Sequence, residues 1–596
     1  MKAVGIAETA RGAKAIAREL WKDSAFVAAS SEAQKAFSEA GYSCRHWKEF
    51  FSARDFDEID ARAVSIAGRW FNETGLVYEG VSLGRLVEYE AMLWLTGLLK
   101  KISFAQNLGK KIGFDVVFCE GGWGKVFKTV FPEKRAFTTV AQKPFHAHPR
   151  EAAEYFVKHL LSLARTLSKK PSARSAVFFY VNDPAIMLPA IKALERKERV
   201  GVMGSGWSAQ KAFLGAGISF TVLEDYASGR TVAEVEEGEK WLEKKWSELK
   251  DSRNFAKSFE FRGTSFMELA EERLRLFFER DFVKCMQEIG LAKEFFRREE
   301  PKAIVLATDS LARERALVFA AKKFRVPSIV LQHGIPSHFK HTSYRELAAD
   351  ELIAWGRKSK ELFKRHGISG KKILVAGNPK FDSYVRKPVR DKRGLCKKLG
   401  LNPDRKIVVL ATQPFYQISS AVFPEERIEF IASAAEAVEK TGAQLVVKVH
   451  PSDSVEEVRE LAGNAVVEKR IDLNSLLNAC DALIVHNSGI AVEAMIVGKP
   501  VLVVNLTRRK DVVPYVEEGA AFGVYEKNKL VESVKKVLGD GKLRKRLAGG
   551  GRRFVKEYAF SADGRASERV AQSIEAIVSK HLKHLHARAA KPSRDR

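Results

Sequence analysis

The clearest pattern along the chain is an alternation of short apolar runs with longer stretches of mixed polarity. Between residues 175 and 345, apolar runs of strand length are separated by segments long enough to form helices. These runs are AVFFYV, VGVM, ISFTVL, AIVLA and SIVLQ. Because alternating strands and helices build βαβ units, the pattern predicts a parallel sheet covered by helices on both faces.

The same alternation continues in the second half of the chain. The further runs are LIAWG, KILVAG, KIVVLAT, QLVVKVH, ALIVH and PVLVVN. The central runs are almost entirely apolar, as expected of parallel strands that are buried on both faces. The pattern therefore predicts an α/β protein with two Rossmann-like domains, at residues 172–348 and 349–580.

An internal repeat extends this prediction to the first part of the chain. The segment AQKAFSEAGYS, at residues 33–43, returns as AQKAFLGAGIS at 209–219 with most positions identical. Looser similarity follows in phase, since FDVVFCEGG at 114–122 parallels KAIVLATDS at 302–310. A period this long suits duplication of a whole α/β domain. Residues 1–165 are predicted to be that additional domain, followed by the linker LSKKPSARS.

Composition adds a strong positive charge to an otherwise ordinary globular chain. The 596 residues carry a formal net charge of +27, and 45% of them are hydrophobic. No apolar run approaches the roughly 20 residues that a membrane-spanning helix needs. The first residues lack the apolar core of a signal peptide, and the five cysteines form no CxxC pair. We therefore expect a cytoplasmic protein without a disulfide framework.

The positive charge is spread over the whole chain, apart from a basic tail predicted at residues 581–596. No RNA-binding signature or zinc-finger spacing accompanies it, so nucleic acid is not predicted as a partner. A solvated basic surface is one interpretation. The functional interpretation is peripheral attachment to an anionic membrane surface, at the inner face of the cell membrane.

Small polar residues recur where the apolar runs of the second half end. The positions that follow these neighbouring strand ends are Thr412, Gln413, His450, Pro451, Ser452, His486, Asn487, Ser488, Gly489, Asn505 and Thr507. In a parallel sheet, substrates bind at the carboxyl ends of the strands. The pattern therefore predicts a ligand site at this edge.

The segment HNSGIAVEAMIVGKPVLVVN, at residues 486–505, is the most informative of these. Asn487 and Ser488 suit the N-cap of the helix that follows, and Gly489 lets a ligand approach the backbone. The free N–H groups at such a helix start form an anion site. Glu493 lies further along that helix, where we expect its carboxylate to reach a ribose hydroxyl.

Three stretches make the region from about 300 to 580 resemble GT-B glycosyltransferases of surface and capsular polysaccharide synthesis. They are VLQHGIP at 330–336, VKVHPSD at 447–453 and NSGIAVEAMIVGKPV at 487–501. The region is similar to polysialyltransferases, Kdo transferases and CDP-glycerol glycerophosphotransferases. The resemblance implies two Rossmann-like domains in a GT-B arrangement, with the duplicated domain as an addition.

The resemblance also implies roles for individual residues. His450 and Pro451 take the place of a histidine-proline pair that contacts the nucleotide phosphate. Asn487 and Ser488 match a small polar pair that binds phosphate, and Glu493 matches a glutamate that holds the ribose. Enzymes of this kind usually work without a bound metal, so neither a metal nor a cofactor is expected beside the nucleotide-activated donor.

An inverting transfer needs a general base from the domain facing the nucleotide. His333 and Asp309 follow two of the predicted strands in residues 172–348 and are the candidates, while Glu224 and Asp225 follow another. In the duplicated segment, Lys143 stands where His333 would be.

The resulting hypothesis is a transferase that moves a sugar or polyol phosphate from a nucleotide-activated donor to a surface-polysaccharide or lipid-linked glycan acceptor. The first alternative is an enzyme resembling the non-hydrolysing UDP-N-acetylglucosamine 2-epimerases, which share the GT-B fold. The second is a non-catalytic GT-B-like binding or scaffold protein.

Overall fold

Three parallel sheets, one after another along the chain, form the framework of the protein. The computed structural model describes residues 2–21, 23–70, 74–140, 176–181, 184–204, 207–336, 346–386, 389, 391–413, 420–507 and 509–589. The predicted linker and Lys143 lie outside these residues. Each sheet is packed between helices, so the core consists of separate apolar layers on the two faces of each sheet.

The first sheet has five strands, in the order β3-β2-β1-β6-β7. These are β1 (Ala3–Ala7), β2 (Ala25–Ala28), β3 (Arg45–His46), β6 (Val116–Glu120) and β7 (Arg135–Val140). A short antiparallel hairpin, β4 (Val77–Tyr78) and β5 (Val81–Ser82), lies between β3 and β6 in the chain.

The second sheet has seven strands, in the order β10-β9-β8-β13-β14-β15-β16. These are β8 (Val177–Val181), β9 (Val200–Gly204), β10 (Thr221–Val222), β13 (Ala303–Leu306), β14 (Ser328–Leu331), β15 (Glu351–Ala354) and β16 (Ile373–Val375). It too has a hairpin, β11 (Glu260–Phe261) and β12 (Thr264–Ser265), between its third and fourth strands. Up to β14 its strand order matches that of the first sheet, as a duplication predicts.

The third sheet has six strands, in the order β19-β18-β17-β20-β21-β22. These are β17 (Ile407–Ala411), β18 (Gln444–Lys448), β19 (Val466–Glu468), β20 (Ala482–Val485), β21 (Val501–Val504) and β22 (Phe522–Val524). Every run predicted from the sequence overlaps one of the observed strands. All pairings within the three sheets are parallel, which confirms the predicted α/β fold class.

The helices connect the strands and cover both faces of each sheet. Those of the first domain are α1 (Ala10–Glu19), α2 (Ser31–Glu39), α3 (Ala53–Arg69), α4 (Leu83–Leu86), α5 (Glu88–Lys111) and α6 (Trp123–Val130). The next are α7 (Pro184–Leu194), α8 (Trp207–Gly215), α9 (Gly229–Lys250), α10 (Arg253–Lys257), α11 (Met267–Leu276), α12 (Phe282–Glu299), α13 (Ala312–Lys323) and α14 (Arg357–Arg365). The remaining helices are α15 (Asp382–Arg386), α16 (Lys392–Leu399), α17 (Pro424–Glu439), α18 (Val455–Ala462), α19 (Leu473–Ala479), α20 (Ile490–Ile496), α21 (Leu530–Gly539), α22 (Gly541–Tyr558) and α23 (Ala566–Ala589). None of the helices in these described ranges is long and apolar enough to cross a membrane.

Two of the predicted domain limits need correction. The boundary at 348/349 falls inside the second sheet, because β15 pairs with β14 and β16 pairs with β15. The second domain therefore continues to Val375. The basic tail predicted from residue 581 begins inside α23, which extends to Ala589.

The helix α23 returns from the third domain to the second. It packs against α7, and Val570, Ile574 and Val578 complete the apolar layer on one face of the second sheet. Its start is fixed by Asp382, whose carboxylate accepts the backbone N–H groups of Ala566 and Ser567 at 2.9 and 2.8 Å. The second and third domains are thus joined by two chain crossings.

Candidate active site

The carboxyl edge of the third sheet brings the predicted donor-binding residues together. His450 follows β18, and Asn487 follows β20. The sequence suggested that these two strands are direct neighbours. In the structure, however, β17 lies between them. The residues that follow β17, Thr412 and Gln413, therefore stand between the two loops.

His450 begins a tight turn that fixes the orientation of its ring. The backbone N–H of Asp453 donates to the carbonyl of His450 at 3.0 Å. Within this turn the N–H of Ser452 donates to Nδ1 of His450 at 3.2 Å, and the Ser452 hydroxyl lies 2.7 Å from the same nitrogen. Since Nδ1 accepts, the proton of the neutral ring is on Nε2.

The surroundings of His450 favour the neutral ring. Burial lowers the pKa of His450, and the positive charges of Lys448 and Lys469 lower it further, against the opposing effect of Asp453. Pro451 and Ser452 are exposed beside it. The turn thus presents an uncharged N–H donor next to two lysines.

Thr412 and Gln413, predicted as part of the ligand site, lie behind the His450 turn and the Asn487 loop. The Thr412 hydroxyl accepts the N–H of His450 at 2.9 Å and donates to the carboxylate of Asp453 at 2.6 Å. The side-chain oxygen of Gln413 accepts the N–H of Asn487 at 3.1 Å. Both residues are buried, so they hold the His450 turn and the Asn487 loop in place.

The segment from Asn487 to Gly489 leads into α20, but its capping differs from the prediction. The N-cap is Gly489, without a side-chain cap, and the Ser488 hydroxyl accepts the N–H of Ile490 at 3.4 Å. Gly489 is exposed, and among the described residues no atom beyond its chain neighbours and its own helix lies within 4 Å of where a Cβ would be. The described part of the chain therefore leaves room beside this backbone.

The end of α20 is a Schellman motif. The N–H of Gly498, which has a φ of +72°, donates to Met495, and the N–H of Lys499 donates to Ala494 at 2.8 Å. The glycine is needed because side chains rarely adopt this backbone conformation. The helix α20 therefore ends just before Gly498.

The side chain of Glu493 is buried and bonded to other residues of the protein. Only 2% of the residue is exposed, and its Oε1 accepts the Tyr384 hydroxyl at 2.9 Å and pairs with Lys380 at 2.8 Å. Tyr384 belongs to α15, and Lys380 lies just before that helix. The carboxylate links α20 to the segment that connects the two domains, and in this structure it is not presented to solvent as a ribose ligand would be.

His333 is exposed at the end of β14, on the side of the second domain that meets the third. Its Nδ1 lies 2.8 Å from the carbonyl of Ala307, which can only accept a hydrogen bond. The Nδ1 position therefore carries the proton, and Nε2 is the basic nitrogen of the neutral ring. Two residues later, Ile335 packs against the apolar core of the third domain.

Gln332 holds the backbone around His333 in place. Its role was not predicted from the sequence. Its side-chain oxygen accepts the N–H of Trp355 at 2.7 Å, and its amide donates to the carbonyl of Gly334 at 2.8 Å. Gln332 is 1% exposed, so these bonds fix the backbone on both sides of His333. The sequence feature that could have identified Gln332 is its position as a polar residue directly after the buried strand β14.

The acidic candidates for the base have structural partners. Asp309 is buried, and its Oδ2 accepts the N–H groups of Ala348 and Ala349 at 2.6 and 2.9 Å, which anchors the entry to β15. Burial raises the pKa of Asp309. Glu224 pairs with Arg313 at 2.7 Å, and the Asp225 side chain accepts the N–H of Val222.

Positive charge collects beneath the His450 turn. Lys448 donates to the carbonyls of Val449 and Lys469, at 2.9 and 3.2 Å, and Lys469 donates to the carbonyl of Asp453 at 2.9 Å. Burial lowers the pKa of Lys448, and nearby Lys380 adds to the effect. An anion bound at this edge would favour the charged forms. Among the described residues, no cluster of three or more acidic, histidine or cysteine side chains is arranged to hold a metal ion.

Comparisons with known proteins give one family match. Residues 314–576 match the family model described as CDP-Glycerol:Poly(glycerophosphate) glycerophosphotransferase, which covers somewhat less than half of the chain. No match was found among curated protein sequences.

Several solved structures are similar to the chain at low identity. The complex of S. aureus MnaA with UDP has 17% identity and a TM-score of 0.45, and covers 68% of this chain and 97% of its own. UDP-GlcNAc 2-epimerase from Neisseria meningitidis, bound to UDP-GlcNAc, has 16% identity and a TM-score of 0.43, with 67% and 98% covered. The wall teichoic acid polymerase TagF, soaked with CDPG, has 12% identity and a TM-score of 0.41, with 73% and 97% covered.

The family match falls on the region where the geometry gathers the predicted site. Residues 314–576 include His333, His450 and Asn487, at the strand ends of two Rossmann-like domains. The chain is therefore a nucleotide-dependent transferase with two Rossmann-like domains in a region that matches the CDP-glycerol:poly(glycerophosphate) glycerophosphotransferases.

Proposed function

We propose that the protein transfers a polyol phosphate, or a sugar, from a nucleotide-activated donor to a hydroxyl group of a surface-polysaccharide or lipid-linked acceptor. The matched family favours CDP-glycerol as the donor and a poly(glycerophosphate) chain as the acceptor. In this proposal, His333 is the general base. His450, Pro451, Ser452, Asn487, Ser488 and Gly489 form the phosphate site.

The observation that carries the proposal is the opposite tautomers of the two histidines. His333 is held through a protonated Nδ1, which leaves Nε2 able to take a proton. His450 is held through an accepting Nδ1, which leaves Nε2–H able to donate. One ring is thus arranged as a base and the other as a hydrogen-bond donor, each at the strand edge of a different domain.

The reaction follows from these two roles. The acceptor oxygen attacks the phosphorus of the glycerol phosphate group and forms a new P–O bond. The P–O bond to the departing CMP breaks, and CMP leaves as an anion. His333 Nε2 takes the proton of the acceptor hydroxyl, while His450 Nε2–H donates to the phosphate that becomes more negative.

Charge stabilisation in this mechanism comes from the protein itself. Lys448 and Lys469 lie beside the His450 turn, and the open backbone at Gly489 offers N–H groups to a phosphate. We therefore propose that transfer does not require a metal ion. Full activity in the presence of EDTA is expected, and loss of activity that Mg²⁺ restores would contradict this part of the proposal.

The test combines nucleotide binding with transfer. CMP, CDP, UDP and GDP are compared by thermal shift, since a ligand that binds the folded state stabilises it. Transfer from CDP-glycerol to a short glycerol phosphate oligomer is then measured for the His333→Ala and His450→Ala variants. We expect His333→Ala to lose turnover with unchanged CDP affinity, and His450→Ala to lose both. His584→Ala, at an exposed histidine of α23, is the matched control.

The outcomes separate the competing functions. Full transfer by His333→Ala would exclude this residue as the base. Stabilisation by none of the nucleotides would favour a scaffold protein. Conversion of UDP-N-acetylglucosamine at the C2 position, without transfer, would favour the epimerase alternative.

A basic helix supports attachment to an anionic membrane surface, where a lipid-linked acceptor would lie. The exposed basic residues of α22 are Lys542, Lys545, Arg546, Arg552, Arg553 and Lys556. Its one acidic residue, Glu557, pairs with Arg357 at 2.6 Å. Co-sedimentation with vesicles containing phosphatidylglycerol, but not with pure phosphatidylcholine vesicles, is expected. Equal binding to both would contradict electrostatic attachment.

A further inference from the structure

The turn that carries His333 is held from the third domain as well as from the second. The side-chain amide of Gln332 donates to the Ser359 hydroxyl at 3.3 Å. Ser359 in turn donates to the carbonyl of Tyr558 at 3.1 Å, so its hydroxyl accepts one hydrogen bond and donates another. Ser359 belongs to α14 of the second domain, whereas Tyr558 is the last residue of α22 in the third. Two buried hydrogen bonds therefore connect the His333 turn to the third domain.

Gly356, directly before α14, allows the close contact between α14 and the end of α22. A Cβ at this position would lie 2.5 Å from the carbonyl carbon of Tyr558. Because backbone atoms cannot give way to a side chain at that distance, the contact requires a glycine. The last carbonyls of a helix have no partner within it, and Ser359 supplies one for Tyr558. The end of α22 is thus fixed on the second domain by close packing and by a hydrogen bond.

The same end of α22 is packed towards the donor site. The Tyr558 ring stacks on that of Phe554 with centroids 4.1 Å apart, and Phe554 packs against Tyr515 with centroids 5.1 Å apart. Tyr515 lies between β21 and β22, and its hydroxyl donates to the carbonyl of Ser488 at 3.0 Å. Ser488 belongs to the proposed phosphate site. The end of α22 therefore supports the phosphate site on one side and the His333 turn on the other.

We propose that the end of α22 is a common support for the general base and the phosphate site. The residues of this support, which we call the interdomain bridge, are Gln332, Ser359, Tyr558, Phe554 and Tyr515. All of them are buried, between 0 and 3% exposed. They are positioning residues, because they act only through His333 and Ser488. The effect on transfer rests on the proposed function, whereas the support of the two turns does not.

The bridge matters for transfer because the base and the phosphate site belong to different domains. His333 must stay within hydrogen-bond reach of the acceptor hydroxyl while the third domain holds the donor phosphate. A misplacement of about 1 Å can slow a reaction about 10²-fold. Since close-packed side chains keep their positions well, a buried support shared by both turns fixes their relative position.

The first test needs no ligand and follows the His333 ring. NMR of protein with isotope-labelled histidine shows which ring nitrogen carries the proton. Ser359→Ala should lower the Nδ1–H fraction of neutral His333 by about half, because the bond to the Ala307 carbonyl depends on the position of the turn. Ser533→Ala is the matched control, because its buried hydroxyl also donates to a helix carbonyl, that of Lys529. A wild-type fraction in a folded Ser359→Ala protein would overturn the proposal.

The second test separates turnover from donor binding at the two ends of the bridge. Ser359→Ala should lower the turnover with CDP-glycerol about tenfold and leave the Kd for CDP unchanged, because only the base is misplaced. Tyr515→Phe loses the bond to Ser488, so the Kd should rise about fivefold. This variant keeps the ring and therefore tests the bridge even where Ser359→Ala does not fold. Tyr42→Phe, at a hydroxyl that donates to a backbone carbonyl of the first domain, is its control, and an unchanged Kd in Tyr515→Phe would overturn the common support.

Tyr558 distinguishes a common support from two unrelated contacts. Tyr558→Leu removes the ring on which Phe554 stacks, so it should both lower turnover and raise the Kd for CDP. Tyr558→Phe keeps the ring and should retain both values, although it loses the hydroxyl bond to Glu518. A folded Tyr558→Leu protein in which only one of the two values changes would overturn the proposal. A wild-type protein that neither binds CDP nor transfers glycerol phosphate would overturn the proposed function instead, since the NMR test needs no ligand.

Discussion

The first two sheets share a strand order, but the carboxyl ends of their strands are used differently. In the first sheet, the Glu120 carboxylate fills the loop after β1, where it accepts the N–H groups of Glu8 and Thr9 at 2.9 and 2.8 Å. In the second sheet, β14 ends in the exposed ring of His333, and Asp309 is turned away to hold Ala348.

This difference shows that two domains with the same strand order need not offer the same groups to a ligand. Backbone N–H groups at the start of a helix form a ready anion site, and in the first sheet a carboxylate of the same chain occupies it. A phosphate would have to displace that carboxylate. The first domain thus keeps the strand order but fills this edge with a carboxylate, while the second domain presents the exposed ring of His333.

The largest effect on the difference between the two sheets is expected from removing the imidazole ring of His333. His333→Ala should lower the turnover of transfer about 10²- to 10⁴-fold, the usual contribution of a general base. Steady-state kinetics with CDP-glycerol measures the effect. His333→Gln should not restore turnover, because an amide cannot take the proton. A variant with wild-type turnover would remove the functional distinction between the two sheets.

Asp309 tests whether a carboxylate at the open edge is an anchor or a base. Asp309→Ala leaves the buried N–H groups of Ala348 and Ala349 unpaired, so we expect a loss of about 3 kcal/mol in the free energy of unfolding, measured with urea. Asp309→Asn retains one acceptor oxygen and should keep most of the turnover. Abolished turnover in a stable Asp309→Asn protein would instead identify Asp309 as the base.

Lys100 gives the first domain's contact with the third domain a dependence on pH. Burial lowers the pKa of Lys100 to about 7, with smaller opposing effects from Glu426, Glu425 and Asp60, while Arg509 lowers it further. In the unfolded chain the pKa is about 10.4. Between these values the unfolded chain binds more protons, so the free energy of unfolding should rise by about 2 kcal/mol from pH 7 to pH 9. Lys100→Met should lose this increment in urea unfolding at the two pH values, and an identical slope in both proteins would contradict the assignment.

The smallest effect is expected at the closed edge. Glu120→Gln weakens the charge-assisted bonds to Glu8 and Thr9, so the free energy of unfolding should fall by about 1 kcal/mol. Thermal unfolding measures this loss, and turnover should stay at the wild-type level. A large loss of turnover would show that chemistry takes place at the first sheet.

Much of the fold can be predicted from the sequence because buried parallel strands are continuous apolar runs. The strands β17, β18 and β20 are examples, and the residues that follow them locate one edge of the site. The three-residue strands β19 and β22 are too short for such a pattern. That β15 and β16 belong to the second sheet follows from their pairing with β14 and with each other. Such pairing cannot be deduced from the local sequence.

The parts of the site that could not be predicted depend on distant partners. His450 and Asn487 follow apolar runs, but the position of β17 between their strands follows from strand order. The burial of Glu493 is caused by Tyr384, which is 109 positions away in the chain. Phe423 has no local signature at all, because the aromatic rings around it, Trp47, Phe51 and Phe56, belong to the first domain.

The return of α23 to the second domain has a consequence for how the protein is made. The strands of the second sheet are complete at Val375, but the helix that covers one of its faces is synthesised only after the whole third domain. During synthesis that apolar face has only the part of its native cover that α7 provides, so the second domain cannot reach its final packing before the third has emerged from the ribosome. The two halves of the transferase are therefore coupled in assembly, with the third domain completed before the second domain, which carries His333.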